Sequence, residues 1–186
     1  MIPQASASVA AQWWRQIQPT FEDGTRNPQG DRAGLARLRR CATVADAMQE
    51  PATIALFRML GLRNPDYLPR VALTAAVLAS VRKEPRPFIR FARAIGPKNP
   101  SEPETAVVKP LRFRRLMEAD TVDERLTAFR RTVTLADRTA SPRELAGALL
   151  FWTEKQRQRW IFDYWNAADS APTQGEAQTD NASSTP

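Results

Sequence analysis

Residues 121–136 read TVDERLTAFRRTVTLA. Val122, Leu126, Phe129, Val133 and Ala136 recur at i, i+4, i+7, i+11 and i+14, which places them on one stripe of an α-helix and on no single face of a strand. Thr121, three residues before Glu124, is a side-chain acceptor for the free amides of a first turn, and Asp123 and Glu124 sit where the helix dipole is positive. This stretch therefore predicts an amphipathic helix with its own start signal.

The same punctuation recurs outward from it. Asn64 before Pro65, Ser141 before Pro142 with Glu144 three on, and Thr153 three before Gln156 read as helix starts, and Gly61 and Gly96 as stops. PRELAGALLFW, from Pro142, is apolar nearly all round and predicts a helix buried in a bundle, and TEKQRQRWIFDYW resumes as a helix with aromatic anchors. Earlier helices are expected near 5–18, 31–41, 51–60, 66–81 and 87–95. No sustained period-two alternation and no Asn-Gly turn speaks for strands. The expected fold is all-α: two small helical bundles joined by a Pro-rich linker. The N-terminal bundle spans 1–96, the linker, with clustered prolines and acids, spans 97–108, and the C-terminal bundle spans 109–166. Residues 167–186 contain three acids, no base and almost no large apolar side chain, which predicts a disordered tail.

Of the chain's 186 residues, 27 are Lys or Arg and 20 are Asp or Glu, giving net +7; without the tail the surplus is +10. Twenty-three of the bases are arginine, whose planar, permanently charged fork suits phosphate. A polyanionic partner is the first expectation. The absence of histidine removes the usual general base and the commonest transition-metal ligand, and one cysteine, Cys41, allows no internal disulfide. The carboxylates fall in helix first turns, near bases or in the linker, which argues against a metal-dependent nuclease. No cofactor, catalytic group, metal or small-molecule substrate is expected. The start MIPQASASVAAQWW lacks the basic n-region and apolar core of a signal peptide, and no apolar run nears a membrane span, so a cytoplasmic location is expected.

The bases sit in particular places. In DRAGLARLRRC, residues 31–41, Gly34, Leu35, Leu38 and Cys41 share an apolar arc with Ala42, and Arg32, Arg37, Arg39 and Arg40 occupy the other side with no acid one turn away except Asp31. In RPFIRFARAIG, Arg86, Arg90 and Arg93 follow i, i+4, i+7 spacing opposite Phe88, Phe91, Ala92 and Ile95. KPLRFRRLMEAD buries Phe113, Leu116 and Met117 and leaves Arg112, Arg114 and Arg115 outside. Arg130 and Arg131 flank the next helix, and Lys155, Arg157 and Arg159 open the last. Basic surface on several elements suits a phosphate-backbone track more than a single base-reading helix. The five tryptophans fall on apolar faces and are expected in the core, as is Cys41.

In order along the chain, Trp13, GDRAGLARLRR, FARAIG, LRFRRLMEADTVDERLTAFRRTVTLA and LAGALLFWTEKQRQRWIFDYW together resemble the CasB-type small subunit of the type I-E CRISPR interference complex, Cascade. The resemblance spans roughly residues 10–166. It implies a non-catalytic, all-helical subunit, present in two copies of itself within a guide-RNA ribonucleoprotein. It also implies contacts with the complex's backbone and large subunits, with guide RNA, and with target DNA and its displaced strand in the R-loop of antiviral defence. Carried over by position, its basic contacts fall on Arg39, Arg40, Arg112, Arg114, Arg115, Arg130, Arg131, Lys155, Arg157 and Arg159. Two rival readings stand beside it. One is a helix-turn-helix regulator using ASPRELAGALLFW, a segment too apolar to present side chains to base edges. The other is a pure scaffold whose basic faces meet acidic proteins.

Overall fold

The computed structural model describes residues 2, 5–20 and 24–167. Among them the chain forms ten α-helices and no strand: α1 (Ser6–Ile17), α2 (Arg32–Arg40), α3 (Val44–Met48), α4 (Pro51–Met59), α5 (Leu68–Leu78), α6 (Phe91–Ile95), α7 (Pro110–Glu118), α8 (Val122–Leu135), α9 (Pro142–Leu150) and α10 (Glu154–Tyr164). The expected tail lies outside the described residues from 168 onward.

The starts are where side-chain oxygens can serve free amides. Thr121 accepts from the Glu124 N–H at 3.2 Å while the Glu124 carboxylate accepts from the Thr121 N–H at 2.9 Å, a reciprocal pair that opens α8. Asn64 caps the short turn that leads into α5, and Ser141 and Thr153 cap the first turns of α9 and α10. Gly61 ends α4 at φ +65°, a left-handed position that residues with a β-carbon adopt at a cost. A helix absent from the expected set, α3, is opened by Thr43 and Asp46 with the same reciprocal arrangement.

α5 is the centre of the molecule. Every residue from Val71 to Leu78 is buried, and the helix packs against α3, α4, α8 and α9. The one polar side chain in that run, Thr74, returns its hydroxyl to the Arg70 carbonyl at 2.8 Å, so no buried donor is stranded there. α1 lies on α9, and α6 on α10. Residues 97–108 change the composition of the chain, yet the helices before and after them share a contiguous core that runs from Trp13 to Tyr164. The stripe of α8 is buried at Leu126, Phe129 and Val133, and the Phe129, Trp152 and Trp160 rings meet edge to face at 5.2–5.5 Å. Trp13, Trp14, Trp160 and Cys41 are core residues, with Trp152 and Trp165 packed against them.

One helix is shorter than its periodicity predicts. Residues 86–90 are not helical, and Phe88 and Ile89 point outward at 65% and 46% exposure. Arg86, Arg90 and Arg93 therefore share no helical face, and Phe88 is not in the core. The cause lies in the tertiary structure. The Glu144 carboxylate accepts from the Phe91 N–H at 2.7 Å and so caps a helix that begins there, while Arg90 is held by Asp163. Pro87 also pushes the residue before it away from helical backbone.

Candidate nucleic-acid interface

α7 and α8 pack side by side and leave a groove of about 590 Å³ between them. Each helix buries its apolar stripe, Phe113, Leu116 and Met117 on one and Leu126, Phe129 and Val133, with Thr132, on the other, and most of the remaining charged side chains face out. Arg112 and Arg115 from α7 and Arg131 from α8 converge on this groove beside Thr134 and Leu135. All three are exposed, none makes an ion pair among the described residues, and no carboxylate lines the groove. Arg114 stands exposed on the same helix outside it. Three unpaired, forked donors in a shallow channel are suited to oxygens of successive phosphates.

Arg130 also borders the groove, but its guanidinium turns inward. Nη2 donates to the Leu38 carbonyl at 2.5 Å, Nη1 to that of Cys41 at 2.6 Å and Nε to that of Ala76 at 3.4 Å. These carbonyls belong to the C-terminal ends of α2 and α5, where orphan acceptors and the negative ends of the helix dipoles favour a cation. Burial lowers the Arg130 pKa from the ordinary arginine value. Arg130 thus ties α8 to α2 and α5.

The arginine-rich helix α2 divides its charges among different tasks. Asp31 caps it, accepting from the Gly34 N–H at 2.7 Å, and Gly34, Leu35 and Leu38 are buried as its arc requires; Ala42, beyond the helix end, is exposed. Arg37 pairs with Glu50 at 2.8 Å; the acid lies across space, just ahead of α4, and not one turn away along the helix. Arg39 is half-buried and donates from Nε to the Ala79 carbonyl at 2.5 Å. Its pKa is lowered, first by burial and then by the charges of Arg82 and Arg138, two arginines outside the expected basic faces. Arg32 and Arg40 remain exposed without an ion pair among the described residues.

The other expected contacts lie around the start of α10. Lys155 and Arg159 border a cleft of about 900 Å³ with Arg15, Arg90 and Arg143, but Glu84, Glu144 and Asp163 line it too. Asp163 binds Arg90 at 3.0 Å and stands 3.9 Å from Arg159. Arg157 is drawn toward Glu154 at 3.6 Å, Asp120 at 3.8 Å and the Met117 carbonyl at 3.4 Å. Arg93 closes on the Pro97 carbonyl at 2.9 Å, and Arg86 is exposed outside any helix. This cleft is mixed in sign, and of its bases Lys155 and Arg143 are exposed without an ion pair among the described residues. Glu144 is pushed up to about 7, chiefly by burial.

No group of three or more Cys, Asp or Glu side chains among the described residues is arranged to hold a metal ion, and no helix there is long and apolar enough to cross a membrane.

No curated protein sequence matches the chain. Among solved structures, it is similar to a chain in the crystal structure of E. coli Cascade bound to a PAM-containing double-stranded DNA target. The two are 19% identical, with a TM-score of 0.59 over 87% of this chain and 95% of that one, so the likeness is one of fold. The family model of the CRISPR-associated protein Cse2 matches residues 34–165, from within α2 through the end of α10. With most of the chain matched and the all-helical fold in place, this protein belongs to the Cse2 family, the CasB-type small-subunit family that the ordered motifs resemble.

Proposed function

We propose that this chain is a non-catalytic small subunit of a type I-E Cascade complex that holds nucleic-acid backbone without reading sequence, and so stabilises target DNA and the displaced strand in the R-loop. The observation that carries this reading is the α7–α8 groove, where Arg112, Arg115 and Arg131 meet with no carboxylate to neutralise them. The solved structure that the fold resembles is of a complex holding a duplex target, which agrees with such a role. In RNA-guided effectors base pairing supplies the sequence specificity, and protein contacts to the backbone tip a nearly balanced strand exchange. Sequence-blind arginines on a rigid helical core are the parts that task needs. Arg40, Arg114, Arg32 and Lys155, each exposed without an ion pair among the described residues, are further candidate contacts, with guide RNA, the backbone and large subunits and a second copy as the subunit's neighbours.

Salt dependence tests the reading. Binding of a single-stranded oligonucleotide to the full chain is expected to weaken steeply and linearly in log affinity against log salt, equally for unrelated sequences. A flat salt response would favour the scaffold reading, and binding confined to one palindromic sequence would favour a regulator.

A further inference from the structure

Three helices end at one corner of the molecule: α2 at Arg40, α5 at Leu78 and α8 at Leu135. Past these ends two short segments are stitched together. The N–H groups of Arg82 and Lys83 donate to the Arg138 carbonyl at 2.9 and 3.2 Å, and the Ala140 N–H returns to the Lys83 carbonyl at 3.0 Å. Arg39 reaches the same corner through its bond to Ala79, three residues before Arg82. Asp137 and Arg138 are both held in left-handed backbone, at φ 50° and 57°, a region that side chains of their type enter at a cost.

Helix ends account for part of this charge. Three C-termini present about half a negative charge each, and Arg130 and Arg39 already serve carbonyls at two of them, those of α2 and α5. Arg82 and Arg138 come on top of these. Of the carboxylates in the two segments, Glu84 is engaged by Arg15 at 2.9 Å, and Asp137, largely exposed, stands 3.8 Å from Lys83, which leaves Arg82 and Arg138 without an ion pair among the described residues. Arg82 and Arg138 lie close enough to Arg39 to disfavour its charge, and such crowding of like charges is relieved by an anion. The corner lies at the end of α8 that borders the α7–α8 groove: Arg131 and Leu135 line that groove from the last turns of α8, and Arg138 follows three residues beyond the helix end.

We propose that Arg39, Arg82 and Arg138 form a pincer for a phosphate of the nucleic-acid backbone, extending the α7–α8 groove around the end of α8. Arg39, anchored on Ala79, is its fixed jaw. Arg82 and Arg138, joined through their backbones, are the outer one. The pincer rests on the nucleic-acid reading above, and the following experiment separates the two.

Binding of a 20-nucleotide single-stranded DNA is measured against salt for the full chain, for Arg82→Gln, for Arg138→Asn and for the double variant; Asn tolerates left-handed backbone, which protects the fold. The double variant is expected to keep its melting temperature while its log–log salt slope becomes shallower by about 1.4, at roughly 0.7 for each phosphate no longer neutralised on a single strand. If the double variant melts early, either single variant decides the matter, with an expected change in slope of about 0.7. An unchanged slope in a protein that still loses binding on removal of Arg112, Arg115 and Arg131 would overturn the pincer and leave the groove standing. No salt-dependent binding by the unaltered chain would overturn both. Loss of affinity for a 20-residue poly-glutamate, with the oligonucleotide unaffected, would overturn the pincer in favour of an acidic protein ligand.

Discussion

The Glu144 carboxylate accepts the Phe91 N–H at 2.7 Å, so the first turn of α9 supplies the cap of α6. Burial disfavours the charge of this carboxylate and Asp163 adds to the effect, while the Phe91 N–H, Arg90 and Arg159 only partly compensate. The group titrates near 7 in the fold against an ordinary value of 4.5, so between those pH values the folded chain holds a proton that the unfolded chain has released. The contribution to stability is therefore full below about 4.5 and is lost as pH rises through 7. The loss is on the order of 3 kcal/mol. Glu144→Gln keeps an acceptor and removes the charge; urea denaturation should show a flatter pH profile between 4.5 and 7 and a more stable protein than the wild type at about pH 8.

Arg130 predicts a stability defect, not a binding defect. Truncation to Ala leaves the Leu38, Cys41 and Ala76 carbonyls without their charged donor and should cost about 3 kcal/mol in urea denaturation. Arg130→Lys keeps the charge but cannot span three carbonyls with one ammonium, and is expected to recover less than half of the loss.

The groove arginines predict the reverse. Arg112, Arg115 and Arg131 face solvent, so replacing all three by Gln should leave the melting temperature within about 2 °C of wild type. On single-stranded DNA the salt slope should become shallower by about 2, from three phosphates at roughly 0.7 each. In the assembled complex, target capture should weaken equally for all target sequences.

Gly96 stands where α6 meets the end of α10. A β-carbon there would collide with the Tyr164 carbonyl, backbone that cannot swing aside as a side chain does. Gly96→Ala is expected to destabilise by about 3 kcal/mol, read as a lower urea midpoint, and to disturb the stacking of Tyr164 on Phe113, visible in near-ultraviolet circular dichroism.

Most helices are legible in the sequence because their signals are local. The α8 stripe and the caps at Thr121, Asn64, Ser141 and Thr153 all appear where oxygen chemistry and period place them. Glu144 shows where local reading stops. Its position three after Ser141 has the form of a reciprocal cap, yet only the Ser141 half forms, because the carboxylate is taken by an amide 53 residues away. The arginines divide in the same way. A helical wheel separates inside from outside, and it places Arg112, Arg115 and Arg131 correctly on the surface. It has no means of showing that Arg37 finds Glu50 or that Arg130 finds three carbonyls, since those partners come from other parts of the chain. Arg82 and Arg138 carry no periodic signal at all; backbone pairing between two loops brings them together.

The packing of α1 on α9 bears on how the protein is made. α1 ends at Ile17 and α9 begins at Pro142. At synthesis rates of about 5–20 residues per second, the Trp13 and Trp14 face of α1 emerges roughly 6–25 s before the helix that covers it exists. For that interval the nascent chain displays two large indoles that belong to the finished core, and closure of that core waits until most of the described chain has been translated.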